Sequence, residues 1–381
     1  MNTSWWRSLD DLTDAQKNFI RLPATGKHLL TGPPGSGKTN LLLLRAEYLA
    51  GTGLKNILVI TFTRSLTNFI KSGISANKRI DATQIKTYHS WAYDHIYHHL
   101  GDYPEISGDE FSEAARKEIV DLLKEANKNL AAPKLYDAIF VDEAQDLTTE
   151  ELELLLCLSN NISICGDGRQ GIYNKNGLEI SQKLELQTHC LTEHFRIGHA
   201  IAKVADKILQ PADAADSLEA TSNYDLDRYG EANVKVHLCD DREHQFDAMI
   251  SNISIQLDAY PDETIGIICA SRNTRADLAS RFNQSELADN VCAHGLDQNP
   301  DFNSQRVHIL TAHSAKGTEF RALHIYAAEE FASGPFRRSK LSYTVVTRAK
   351  TSLNIYKTGN TTPVLESALA EPMHLDLKDL F

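Results

Sequence analysis

The residues Gly32-Pro33-Pro34-Gly35-Ser36-Gly37-Lys38-Thr39 constrain this chain more than any other feature. They fit the pattern G-x-x-x-x-G-K-[ST], follow an apolar strand-like run (HLLT) and open a helical one (NLLLLRAEYL). A glycine-rich turn between a strand and a helix aims backbone N–H groups at one point, and the helix N-terminus adds positive potential there. In such a loop Lys38 reaches the β- and γ-phosphates of a nucleotide, and Thr39 offers its hydroxyl to Mg2+.

A second element supports the same chemistry. The apolar run Ala138–Val141 ends in Asp142-Glu143-Ala144-Gln145-Asp146. After a phosphate loop, an acidic pair at a strand end serves the ion and the water: Asp142 holds Mg2+, directly or through water, and Glu143 polarises the attacking water. Without a phosphate loop, the same pair reads as a helix N-cap.

Further apolar runs fall at Ile57–Thr61, Ile162–Cys165, Val234–Leu238, Ile265–Cys269, Val307–Thr311, Leu323–Ala327 and Ser352–Tyr356, with helical patterns between them. Such alternation predicts parallel sheets covered on both faces. At 381 residues there is too much of it for one sheet. The expected organisation is an α/β chain with two domains, residues 1–187 and 188–357, followed by a tail over 358–381. With 42% hydrophobic and 24% charged residues the chain has ample apolar surface to bury, which excludes disorder as its main state. Its longest apolar runs fall far short of the ~20 residues of a membrane span. The opening MNTSWWRSLDD has no apolar signal-peptide core. Six cysteines form no C-x-x-C pair and read as free thiols of a reducing, cytoplasmic setting. The net charge of −12 argues against a protein that coats nucleic acid over its whole surface. Residues 204–263 hold 4 basic and 14 acidic side chains, whereas residues 300–360 hold 9 basic and 4 acidic, so a local basic face is available for phosphate.

Eight short strings in order resemble the motifs of the UvrD/Rep-type superfamily 1 helicases, over residues 12 to 353: LTDAQKNFI, the phosphate loop with VITFTRSLTNFI, TYHSWA, IFVDEAQD, CGDGRQGIY, LTEHFR, TAHSAKGTEF and YTVVTRAK. The resemblance implies two RecA-like domains with ATP in the cleft between them. It implies that Gln16 reads the adenine edge and that Phe195 stacks on the base. By the same resemblance Glu319 contacts the ribose, Gln170 senses the γ-phosphate, and Arg196 and Arg348 are offered to that phosphate from the second domain. An arginine from across a cleft stabilises transition-state charge only when the cleft closes. Phe62, Thr63, Thr87, His89, Thr311 and His313 match positions that touch single-stranded nucleic acid, DNA rather than RNA. Core packing is the alternative for Phe62, helix capping for His89 and a surface salt bridge for Arg348. His95 and His99, at i and i+4, lack the glutamate of H-E-x-x-H and read as a solvated helix face.

The chain departs from the family in two ways. Lys175-Asn176-Gly177 stands where an aromatic, an arginine and a glycine are usual, so a base-stacking aromatic is expected to be missing. The two large inserted subdomains have little room, with a short helical insert at about 93–136 in place of the first. Two readings follow: a motor on single strands that relies on a partner such as a nuclease for unwinding, or a DNA- or partner-gated ATPase switch. The resemblance implies 3′-to-5′ movement. The terminal Asp379-Leu380-Phe381 resembles the end of peptides that dock on sliding clamps, against the plainer expectation that the tail packs on the chain itself.

Overall fold

Two six-stranded sheets, each with all its strand pairs parallel, organise the chain. The structure is a computed structural model that describes residues 9–73, 79–106, 112–173, 175–296, 305–333 and 339–370. The first sheet holds β1 (Gly26–Thr31), β2 (Ile57–Thr61), β3 (Ile85–Thr87), β4 (Ala138–Val141), β5 (Asn161–Gly166) and β6 (Gln187–Cys190) in the order β3-β2-β4-β5-β1-β6. Around it lie α1 (Asp14–Ile20), α2 (Lys38–Gly51), α3 (Arg64–Gly73), α4 (Tyr88–Leu100), α5 (Glu113–Lys128), α6 (Thr149–Leu156) and α7 (Ile180–Lys183). The second sheet holds β7 (Asn233–Leu238), β8 (Ile265–Cys269), β9 (Val291–Ala293), β10 (Val307–Thr311), β11 (Phe320–Ile325) and β12 (Ala349–Lys357) in the order β7-β12-β11-β8-β10-β9. Its helices are α8 (His199–Ile208), α9 (Leu226–Tyr229), α10 (Arg242–Ala259), α11 (Arg272–Phe282), α12 (Ser339–Val346) and α13 (Pro363–Leu369). These are the two α/β units that the strand–helix alternation predicts, and two parallel sheets fit the RecA-like pair that the resemblance implies.

Each sheet is buried on both faces, which is why its strands read as apolar runs. In the first, Leu30, Val59 and Phe140 meet α1, α2 and α3 on one face, while Ile60, Ile139 and Ile164 meet α4, α5 and α6 on the other. In the second, Leu310, Leu323 and Ile355 meet α8, α12 and α13, and Ile265, Ile267 and Ile309 meet α10 and α11. Ile172, from the loop after β5, belongs to the second sheet's core, so the two units share apolar packing.

Three expectations change. The division expected at 187/188 cuts into the first sheet, because β6 pairs with β1 as its edge strand. The short helical insert expected at about 93–136 starts earlier, with α4 at Tyr88, and Trp91 and Ile96 of α4 and Ile119 and Leu123 of α5 are part of the first sheet's core. The tail expected from 358 begins as folded structure. Thr362 caps α13, Pro363 takes its first turn, Leu365 and Ala368 join the second core, and Glu366 pairs with Lys357 at 2.6 Å. The terminal docking motif, Asp379 to Phe381, lies outside the described residues. No helix among the described residues is long and apolar enough to cross a membrane.

Candidate nucleotide cleft and nucleic-acid face

Sheet topology gathers the phosphate loop and the acidic pair. Parallel strands end on a common edge, so the loop after β1, Asp142 after β4 and the Asp167–Gln170 turn after β5 emerge side by side. On the second sheet the order is inverted. Glu319 precedes β11 and Arg348 precedes β12, adjacent strands in which Phe320 faces Ala349, so these two side chains stand at the strands' starting edge. The cleft lies between these edges and is lined by both units, from Leu12 and Gln16 through Gly35–Leu41 to Phe195, Tyr229, Glu319, Arg348 and Lys350.

The phosphate end is built of backbone. α2 begins at Lys38 with Gly37 as its N-cap, at φ 86°, and no side chain caps it. With no capping side chain, this helix N-terminus presents positive potential to the cleft that Lys38, Thr39 and Asn40 line. Gly35 sits at φ 81°, and a Cβ there would lie 3.0 Å from the Cβ of Arg196. Lys38 Nζ donates to the carbonyls of Gly32 (2.8 Å) and Pro33 (2.9 Å), a curled position from which it can turn to phosphate. Two buried polar atoms on this wall have no partner, Ser36 Oγ and Arg196 Nε. Buried polar groups are paired as a rule, so these orphans fit a polyanion.

Thr39 Oγ1 donates to Asp142 Oδ2 at 2.7 Å, which brings two hard oxygen donors together, the set that Mg2+ takes. Asp142 Oδ1 accepts from the Glu143 N–H (2.9 Å) and from Cys165 Sγ (2.9 Å). Burial, with the neighbouring Glu143 charge, lifts the Asp142 carboxyl to about 6. Glu143 itself has left-handed backbone, φ 54°, a strain of order 1–3 kcal/mol for a residue with a side chain. Burial works to raise its carboxyl, but Lys316, Arg348 and Lys38 together hold it below the ordinary range. Glu143 is thus an ionised base in a cationic surround.

The second unit reaches into this site. Lys316, 1% exposed, donates to the Gln170 carbonyl at 2.7 Å, pairs with Asp146 and stands 3.7 Å from Glu143. Arg348, 3% exposed, donates through Nη2 to Gln170 Oε1 at 2.6 Å, and Gln170 Nε2 donates to Asp167 at 3.1 Å. Burial, with the Arg196 charge, lowers the Arg348 guanidinium to about 10. Arg196 pairs with Glu319 at 2.6 Å and donates to the Thr347 carbonyl at 3.0 Å. Burial resists ionisation of Glu319, yet Lys350 and Arg196 hold it at about 2. Gln16 is occupied at both ends: Oε1 accepts from Thr13 N–H in a capping box, and Nε2 donates to the Ser36 carbonyl at 3.1 Å. One amide proton and one lone pair remain for a base edge. The Phe195 N–H donates to the Gly35 carbonyl at 3.1 Å, which seats the ring's loop on the phosphate turn.

The residues matched to nucleic-acid contacts divide into two groups. Phe62 lies 5.1 Å from Tyr173, and Tyr173 lies 5.7 Å from His313, a three-ring row drawn from both units. Tyr173 thus occupies the face where an aromatic was expected to be missing, and it stands in the string GIY, two residues before Lys175. The hydroxyl-bearing matches have structural duties. Thr63 Oγ1 accepts from the Leu66 N–H and donates to the Lys316 carbonyl at 3.2 Å. Thr87 caps α4, accepting from the Ser90 N–H, and His89 sits in that helix's first turn. Thr311 Oγ1 lies 3.0 Å from Ser314 Oγ.

Other clusters resolve differently from the sequence reading. His95 is buried rather than solvated; its Nε2 lies 2.8 Å from Asn127 Oδ1, and its ring stacks on Trp91 and lies tilted against His99. All six cysteines are free, four buried and two, Cys157 and Cys190, exposed. Cys292, His294 and His308 bring ligand-capable atoms within 4.8 Å of one another. The two rings are 3.1 Å apart, Nε2 to Nδ1, and His294 Nδ1 is 3.1 Å from Ser65 Oγ, which makes a hydrogen-bonded relay from β10 to α3.

Residues 16–176 match a family model described as an AAA domain, and residues 306–356 match one described as a UvrD-like helicase C-terminal domain. An F-box DNA helicase 1 from Gallus gallus is 40% identical over 84 residues, which is 21% of this chain and 8% of that protein. The aligned stretch therefore spans less than a tenth of that relative's length. A solved structure, the C-terminal domain of a possible DNA helicase from Lactobacillus plantarum WCFS1, is 20% identical with a TM-score of 0.33, over 46% of this chain and 93% of that one.

Proposed function

We propose that this chain, with an AAA domain match over residues 16–176 and a UvrD-like helicase C-terminal domain match over residues 306–356, is a UvrD-like helicase, an ATP-hydrolysing motor on single-stranded DNA. The observation that carries this reading is the penetration of Lys316 and Arg348 into the acidic end of the first unit, where they meet Asp146, Glu143 and Gln170. Only a cleft whose two walls move can gate hydrolysis by such contacts.

The first α2 N–H groups and Lys38 bind the phosphates. Thr39 and Asp142 hold Mg2+, which when bound neutralises phosphate charge. Glu143 accepts a proton from the attacking water. Gln170 and Arg348, hydrogen-bonded at 2.6 Å, exchange each other for the γ-phosphate as the cleft fills, and Arg196 leaves Glu319 to do the same. Glu319 is then freed for the ribose. Phe195 and Gln16 take the base. The ring row Phe62–Tyr173–His313 stacks on successive bases without regard to sequence. Movement of the cleft shifts this row, because Tyr173 follows Gln170 by three residues and His313 precedes Lys316 by three. DNA as the strand accords with the name of the Gallus gallus relative. Polarity is 3′ to 5′, and the setting is the cytoplasm, in keeping with six free cysteines.

A short insert folded into the first core supports dependence on a protein partner, such as a nuclease, for efficient unwinding of long duplex. It equally supports the second reading, a DNA- or partner-gated ATPase switch. Lys38→Ala abolishing ATP hydrolysis tests the nucleotide site. Strand displacement on a partial duplex separates motor from switch: the motor opens a short duplex in an ATP-dependent way, the switch opens none.

A further inference from the structure

Two aromatic side chains line the nucleotide cleft among the described residues, Phe195 and Tyr229. Tyr229 comes from the acidic stretch 211–232, which reads as irregular surface in the sequence. In the structure it ends the short helix α9. Asp225 caps that turn by accepting from the Arg228 N–H at 2.9 Å, and Gly230, at φ 71°, closes it by donating to the Leu226 carbonyl at 2.8 Å. The turn is thus fixed at both ends.

The turn and its ring are held by Arg321. Arg321 Nη2 donates to the Tyr229 carbonyl at 2.7 Å, and its guanidinium lies 4.8 Å from the Tyr229 ring and 4.7 Å from the Tyr260 ring. A guanidinium between two rings is a cation–π clamp, and Arg321 is buried. Arg321 is the second residue of β11, two positions after Glu319 in the chain. Between them runs a line of charges. Glu319 meets Lys350 at 3.0 Å, Lys350 meets Glu263 at 3.8 Å, and Glu263 meets Arg321 at 3.6 Å. Tyr229 is therefore coupled to the Arg196–Glu319 pair by a continuous ionic row, and it opens on the same cleft.

We propose that Tyr229 is a further base-contacting residue of the nucleotide cleft, beside Gln16 and Phe195, and favours purine over pyrimidine triphosphates. A flat purine presents more π surface to a fixed ring than a pyrimidine does, so a clamped aromatic discriminates by stacking. The inference rests on the ATP-site reading given above.

Steady-state hydrolysis by the full chain tests it, with ATP, CTP and the base-free ribose 5-triphosphate as competing ligands. Tyr229→Ala should raise KM for ATP about fivefold or more, lower kcat less than twofold and narrow the ATP-over-CTP preference. Inhibition by ribose 5-triphosphate should be unchanged, which a merely structural loss would not give. Tyr229→Phe should keep the wild-type KM. An unchanged KM for ATP in Tyr229→Ala would overturn the inference, as would an equal loss for ATP and ribose 5-triphosphate. Lys38→Ala is the separate control: if it hydrolyses ATP like wild type, the nucleotide-site reading itself fails.

Discussion

Glu143 combines a left-handed backbone, a buried carboxylate and three surrounding cations. Substitution by glutamine keeps the shape and removes the base. Glu143→Gln should bind ATP as wild type does and turn over at least ~100-fold more slowly, measured by phosphate release beside nucleotide binding. Turnover near wild type would remove Glu143 from the chemistry. Arg196 and Arg348 differ in exposure of their current bonds. Arg348 is locked to Gln170, Thr318 and Thr344, whereas Arg196 keeps an unpartnered Nε. Arg196→Ala should fold normally, bind ATP and hydrolyse it poorly. A melting transition lowered by several degrees with unchanged specific activity would make the residue structural. The phosphate loop and the acidic pair were legible because their chemistry is local, a few adjacent residues around one turn. The task of Lys316 is not legible in the sequence, because its partners Asp146 and Gln170 lie 170 and 146 residues away.

At the scale of elements, the strands that carry apolar runs were legible and three others were not. β6 exposes Gln187, Thr188 and Cys190 on a sheet edge, so it has no hydrophobic pattern to detect, and β3 and β9 are three residues long. The insert's helices were foreseen as short pieces, but their place on the first sheet depends on Trp91 and Leu123 finding that core, a tertiary fact. The aromatic row joins the end of β2, the loop after β5 and the turn after β10. Stacking on such a platform contributes roughly 1–3 kcal/mol per base. Phe62→Ala and Tyr173→Ala should each weaken single-strand binding to a similar degree for any sequence, read by fluorescence anisotropy on homopolymers of different bases. A loss confined to one base would contradict stacking.

Across the whole molecule, burial keeps several histidines neutral. His28, His95 and His194 are lowered to about 4, and His324 to about 3. In the unfolded chain each titrates near 6.5, so below that pH the unfolded state binds more protons than the folded one. Stability from these sites is intact above pH ~6.5 and is lost as the pH falls toward 4. The melting temperature should drop by several degrees between pH 7.5 and pH 5.0, and His324→Gln should flatten part of that slope. The same net-acidic molecule should bind single strands weakly and with a shallow salt dependence, as few phosphates are neutralised. The central claim is that a moving cleft couples ATP hydrolysis to single-stranded DNA. Its most direct measurement is the steady-state ATPase rate with and without single-stranded DNA, for wild type and for Tyr173→Ala. The account predicts strong stimulation of wild type by DNA of any sequence, with a higher DNA concentration needed for half-maximal effect in Tyr173→Ala. A wild-type rate that single-stranded DNA leaves unchanged would contradict it.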